Sequence, residues 1–150
     1  MTFREATVDD LPQIVRLLAD DPLGATRETP GDEIPDAYFA AFAAIEKDPN
    51  NAVIVAEVAG EVAGTLQLTF IPGLTYTGAE RAQIEGVRVA SSQRGRGLGQ
   101  EMVTWAIDRA RARGCRVVQL TTDRQRPDAI RFYQQLGFRP SHMGMKFHLA

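Results

Sequence analysis

The chain has 150 residues, 44% of them hydrophobic and 24% charged, which suits one compact domain over residues 1–150 and excludes wholesale disorder. Lys and Arg number 17 against 19 Asp and Glu, a net charge of −2 that argues against a nucleic-acid binder.

Phe3 to Ala6 reads as a short first strand. Thr7 and Asp10 have the spacing of a capping box, and Leu11, Ile14, Val15, Leu17 and Leu18 follow at helical spacing, so residues 8–20 are predicted to form an amphipathic helix. Residues 21–35 hold Pro22, Gly24, Pro30, Gly31 and Pro35 and read as a long loop. A second helix is predicted from about Pro35 to Lys47. Residues 52–58 and 62–71 read as an antiparallel hairpin about an Ala59-Gly60-Glu61 turn, with Gly64 at a bulge. A loop over 72–78 leads to a strand over 81–90. A strong helix follows Arg94–Gly99 and stops near Arg113-Gly114. Residues 117–121 read as a strand, Asp128 to Leu136 as a short helix, and Phe138 to Leu149 as one or two last strands. The fold class is α/β with a mixed sheet, because three successive strands lack helical crossovers.

The run Arg94-Gly95-Arg96-Gly97-Leu98-Gly99 lies between a strand and a helix. A helix start offers unpaired amides, and glycines let the backbone approach an anion. Two common phosphate signatures fail here. Gln100 stands where a P-loop needs its second glycine and also where the dinucleotide fingerprint needs its third. Arg94, Gly97 and Gly99 do match Gln/Arg-x-x-Gly-x-Gly/Ala, which resembles the acyl-CoA pyrophosphate loop of the GNAT superfamily of N-acetyltransferases. Two other segments share the likeness: Val87-Arg88-Val89 before the turn, and Phe132-Tyr133-Gln134-Gln135-Leu136-Gly137-Phe138, which is similar to the family's F-Y-x-x-L-G-F stretch. The element order agrees along nearly the whole chain.

The resemblance implies a GNAT-like, mostly antiparallel central sheet of six or seven strands with about four helices, in the order β-α-α-β-β-β-α-β-α-β(-β). It implies acetyl-CoA as cosubstrate and no metal. The backbones of Val87, Arg88 and Val89 would pair with the pantetheine arm, as in strand addition. The amides from Arg94 through Gly95, Arg96, Gly97, Leu98 and Gly99 to Gln100 would hold the pyrophosphate. Tyr133 would protonate the departing thiolate as a general acid; packing on the stripe of Ala129, Phe132 and Leu136 is its alternative. Glu85, two residues before Val87 and on the same strand parity, would deprotonate the amine or bind its charge; a solvated glutamate is the alternative. Many family members carry asparagine at the position of Arg126, where this chain places an arginine able to meet a cofactor phosphate or remain solvated.

Cys115, the one cysteine, reads as a small buried residue, and no cysteine-built metal site or intrachain disulfide is available. His142 and His148 fall on the expected last hairpin, away from chemistry. The acceptor is expected to be an amine, a small molecule before an antibiotic or a protein N-terminus, met by residues 21–35, the second helix and the loop 72–78. There Tyr38, Phe39, Phe42, Phe70 and Tyr76 could form an aromatic wall, and Asp20, Asp21, Glu28, Asp32, Glu33 and Asp36 either favour a cation or form a solvated rim. The reaction expected is direct transfer of an acetyl group to a primary amine; the alternative is a noncatalytic acyl-CoA-binding sensor. The apolar segment Met143–Phe147 suggests a homodimer. No apolar run reaches the ~20 residues that span a bilayer and Met1–Glu5 lacks a signal-peptide core, so a soluble, cytoplasmic protein without a membrane partner is expected.

Overall fold

Thr7 and Asp10 set the first helix. In the computed structural model, which describes residues 1–150, the Asp10 carboxylate accepts the Thr7 amide at 2.8 Å. A 3-10 turn (Val8–Asp10) leads into α1 (Leu11–Ala19), which buries Leu11, Ile14, Val15 and Leu17. From β1 (Thr2–Glu5), Arg4 donates to both Asp10 oxygens at 2.7 and 3.0 Å. That guanidinium holds the Asp10 carboxyl below the usual carboxylate range. α2 (Asp36–Lys47) starts after Pro35 and buries Phe42.

β2 (Asn51–Val58) and β3 (Glu61–Ile71) form the expected hairpin. Its turn residues Ala59 and Gly60 both take positive φ, the geometry of a tight hairpin turn. The register steps from Ala56↔Gly64 to Glu57↔Val62, so the bulge is at Ala63, beside Gly64. This step turns Val62 toward α1 and Gly64 toward the other face. There a Cβ on Gly64 would stand 3.3 Å from Met102 Sδ.

α3 (Thr75–Gly78) is a single turn within the expected 72–78 loop, with Tyr76 and Thr77 left-handed at φ 52° and 61°. After it come β4 (Arg81–Val89), α4 (Leu98–Arg113), capped by Gly114, and β5 (Val117–Gln119). The sheet order is β1-β2-β3-β4-β5. The first three pairings are antiparallel and β4–β5 is parallel. Met102, Val103 and Ala106 of α4 are fully buried. Val53 and Val55 pack with α1 and α2.

The sheet has five strands, not six or seven. The stretch Phe138–Leu149 adds none. Beyond Phe138 the one backbone hydrogen bond within the chain is Ser141 N–H to Arg139 O. Pro140 lacks a donor, and Met143, Met145, Phe147 and Leu149 stand 71% to 94% exposed. Residues Met1–Gln119 form one compact unit holding the whole sheet, and Leu120–Ala150 a second. The second contains α5 (Pro127–Gln135), where Tyr133 lies edge-on to Phe132 and Phe138 at 5.1 and 5.7 Å between ring centroids.

Candidate active site

β4 changes course at Gly86. The register with β3 steps from Gln67↔Glu85 to Thr65↔Arg88, which places one extra residue in β4. Gly86 takes φ 61°, a left-handed conformation that strains any residue with a Cβ. The bulge breaks the simple alternation that would put Glu85 and Val87 on one face. Glu85 instead shares its face with Arg88, since their partners Gln67 and Thr65 are two apart on β3. The Glu85 carboxylate is exposed and accepts Gln83 Nε2 at 3.0 Å. With Gly86 it lines a half-open cavity of about 180 Å³ beneath α1 and α2.

Beyond the bulge, β4 has an open edge. Its pairing with β5 covers only Arg81↔Val117 to Gln83↔Gln119, so the two strands part before Glu85. Ala90 N–H turns to β3 and donates to Ala63 O at 2.7 Å. By alternation, the backbone groups of Val87 and Val89 face the open side. Their carbonyls accept from arginines of this chain: Val87 O from Arg88 Nη1 at 2.8 Å, and Val89 O from Arg94 Nε at 3.2 Å. Arg88 also pairs with Asp21 at 3.6 Å, and Arg94 reaches the Asp20 carbonyl at 3.2 Å and its carboxylate at 3.4 Å. Two aspartates at the carboxyl end of α1 oppose the helix dipole. That local conflict is a sequence signal for cationic partners within the chain, and Arg88 and Arg94 are those partners here.

The turn before α4 is built of bare main chain. Gly95 and Gly97 have φ 78° and 82°, and Gly97 is the N-cap with no side-chain cap. Glu101 N–H, donating to Gly97 O at 3.0 Å, is the first amide of the helix to be satisfied. The amides from Gly95 to Gln100 make no hydrogen bond within the chain. Leu98, buried, anchors the turn, while Arg96 is exposed. A row of free N–H groups at a dipole's positive end suits a diphosphate, and the open β4 edge suits an amide-bearing arm. Arg126, at the N-cap of α5, accepts the Ala129 amide on its carbonyl at 3.1 Å.

The expected aromatic wall divides. Tyr38 and Phe42 line the cavity. The Tyr38 phenol donates to Glu28 at 2.8 Å and accepts the Thr29 amide at 3.0 Å, and burial raises its pKa. Phe70 instead lies under Arg113 at 4.0 Å and Tyr76 under Arg116 at 4.7 Å. Phe39 is exposed. Cys115 is half-buried near Glu80, and burial pushes its thiol up. His142 and His148 are exposed.

Residues 11–138 match the family model described as Acetyltransferase (GNAT) family. The chain belongs to this family. GNAT relatives carry enzyme names. The aminoalkylphosphonate N-acetyltransferase of Salmonella typhimurium is 30% identical over 93% of this chain and 86% of that protein. The L-methionine sulfoximine/L-methionine sulfone acetyltransferase of Pseudomonas paraeruginosa is 30% identical over 97% of this chain and 87% of that protein. A crystal structure described as a transcriptional regulator from Bacillus halodurans superposes with a TM-score of 0.96 at 56% identity, covering 99% of both chains. The family match and the named relatives make this chain an acyltransferase. No helix is long and apolar enough to cross a membrane.

Proposed function

We propose that residues 1–150 act as one N-acetyltransferase domain that moves an acetyl group from acetyl-CoA directly to the primary amine of a small molecule. The observation that carries this reading is the row of unpaired amides from Gly95 to Gln100 beside the open edge of β4. Acetyl-CoA supplies the activated acetyl group. The main-chain groups of Val87 and Val89 pair with its amide-bearing arm, while Arg88 shapes that edge. The amides from Arg94 to Gln100 hold its diphosphate, and Arg126 adds charge where relatives often use asparagine. Glu85 takes the amine's proton or holds its positive charge, since an amine must lose a proton to attack. The Tyr133 phenol donates its proton to the departing thiolate.

The names of the Salmonella and Pseudomonas relatives support a small amine as acceptor. The name of the Bacillus halodurans relative favours a second reading, an acyl-CoA-binding regulatory module. One experiment separates them: free-thiol release from acetyl-CoA across an amine library, beside calorimetry with CoA. Transfer to an amine supports the enzyme, and CoA binding without transfer to any amine supports the module. A cytoplasmic setting agrees with the unpaired Cys115 thiol. The exposed apolar residues Met143, Met145, Phe147 and Leu149 support a homodimer. Light scattering giving one chain's mass at micromolar concentration overturns the dimer.

A further inference from the structure

We infer that the acceptor carries a short apolar tail on its amine, and that this tail enters the cavity beneath α1 and α2. The inference rests on the N-acetyltransferase reading above and narrows its substrate class.

The cavity of about 180 Å³ is walled by Leu11, Val15, Phe42, Ile45 and Leu66. The polar groups that reach it are mostly committed elsewhere. Thr65 Oγ1 donates to Ile54 O at 2.9 Å, and Gln67 Nε2 donates to Asn51 Oδ1 at 3.0 Å. The Tyr38 phenol is held by Glu28 and the Thr29 amide. What remains at the rim is the Glu85 carboxylate, exposed on the bulge and bonded through one oxygen to Gln83. The cavity thus offers one anionic group at its rim and a largely apolar lining, with the Gln67 side-chain carbonyl oxygen as its other open acceptor. An ammonium can stay at Glu85 while carbon enters. Several hydroxyls or further ammonium groups sent inside would lose more water contacts than the few acceptors there replace, which is unfavourable.

Size narrows the class further. A water in the liquid occupies about 30 Å³, so 180 Å³ holds roughly six groups of that size. Enclosed sites for drug-sized ligands run to about 300–1,000 Å³. A chain or branch of about six non-hydrogen atoms fits inside, while most of an aminoglycoside ring system would have to stay outside the open side. Specificity then resides in α2. Phe42 forms buried wall, while Ala41 lies exposed beside it and also lines the cavity. A large side chain at Ala41 fills the space without disturbing the core.

The test is a homologous series. Thiol release from acetyl-CoA is measured with ethylamine, butylamine, hexylamine, spermidine and kanamycin. The expected kcat/KM rises about three- to four-fold per added methylene from ethylamine to hexylamine, with spermidine and kanamycin below butylamine. In Ala41→Phe the rise flattens while calorimetric affinity for CoA stays the same. A flat series in the unmodified chain, or a polycation as the best acceptor, overturns the inference and leaves acetyl transfer standing. Saturation-transfer NMR with hexylamine on the CoA-loaded protein reads the cavity without turnover. If no amine releases thiol, acetyl transfer fails. Saturation of the hexylamine methylenes that disappears in Ala41→Phe then still supports the apolar preference, and its absence from the unmodified chain overturns it.

Discussion

The two sides of the Gly86 bulge use different parts of the chain. On the proposed acceptor side, the cavity is made of side chains: Leu11, Val15, Phe42 and Ile45 set its shape. Toward the turn before α4, the proposed cofactor surface is main chain: the Val87 and Val89 backbone and the amides from Gly95 to Gln100. A surface of main chain tolerates many side chains but demands particular backbone angles. A surface of side chains tolerates backbone variety but changes with each substitution. One side suits a fixed chemical group, and the other can be retuned to a different acceptor.

The largest expected effect tests whether the chemistry is separate from both surfaces. Tyr133→Phe removes the proposed proton donor and is expected to lower kcat about 100-fold. Calorimetric affinity for CoA and the kcat/KM trend along the alkylamine series should be unchanged. A Tyr133→Phe chain that turns over at full rate removes the acid role.

The next effect bears on the main-chain surface. Gly97 has φ 82°, and a Cβ there would meet nothing within 4 Å. Any penalty from Gly97→Ala is therefore conformational. A left-handed residue with a Cβ costs about 1–2 kcal/mol, close to ten-fold in an equilibrium constant. The unbound variant is free to relax the turn away from this angle, and CoA must then restore it, so CoA affinity is expected to fall by up to about ten-fold in calorimetry, with the amine KM unmoved. An unchanged affinity would break the comparison on its main-chain side.

That same division decided what could be read in advance. The capping box at Thr7 and Asp10, the buried stripe of α1, the Ala59-Gly60 turn and the stop at Gly114 depend on local backbone chemistry, and local spacing revealed each. The glycine turn before α4 was legible for the same reason. The bulge at Gly86 was not, because a lone glycine in a strand can be a bulge, a close approach or nothing. It overturned the shared face assigned to Glu85 and Val87. The cavity was hidden too, since its walls come from α1, α2, β2, β3 and β4, which sequence spacing cannot bring together. At the other end of the chain, Met143 to Leu149 has the alternation of a strand, but alternation does not supply a neighbour to pair with.

A smaller effect concerns the scaffold beneath both surfaces. Asp10 is held by Arg4 and the Thr7 amide, and its folded pKa lies below the ordinary carboxylate value. The ionised group therefore stabilises the fold fully above the ordinary carboxylate range, and that contribution is lost as pH falls through the lowered folded pKa. Asp10→Asn is expected to cost about 2 kcal/mol at pH 7, the scale of charge-assisted hydrogen bonds. Urea melts from pH 7 down to pH 2 should show a shallower acid loss in the variant. Loss of CoA affinity at pH 7 without loss of stability would place Asp10 in the site rather than in its support.

The smallest effect is the most discriminating. Arg94 and Asp20 are about half exposed, at 53% and 52% of their side chains, so their ion pair should contribute at most about 1 kcal/mol to stability. In the structure the Arg94 guanidinium is shared between Val89 O and Asp20. If it serves only to tether the turn, Arg94→Ala and Asp20→Ala should weaken CoA binding alike, by less than about three-fold. If instead it turns to the diphosphate when CoA binds, Asp20 competes with the ligand for it. Asp20→Ala then tightens CoA binding while Arg94→Ala weakens it. Opposite signs in calorimetry would make a side chain part of the phosphate surface, and the division at Gly86 would no longer be one of main chain against side chain.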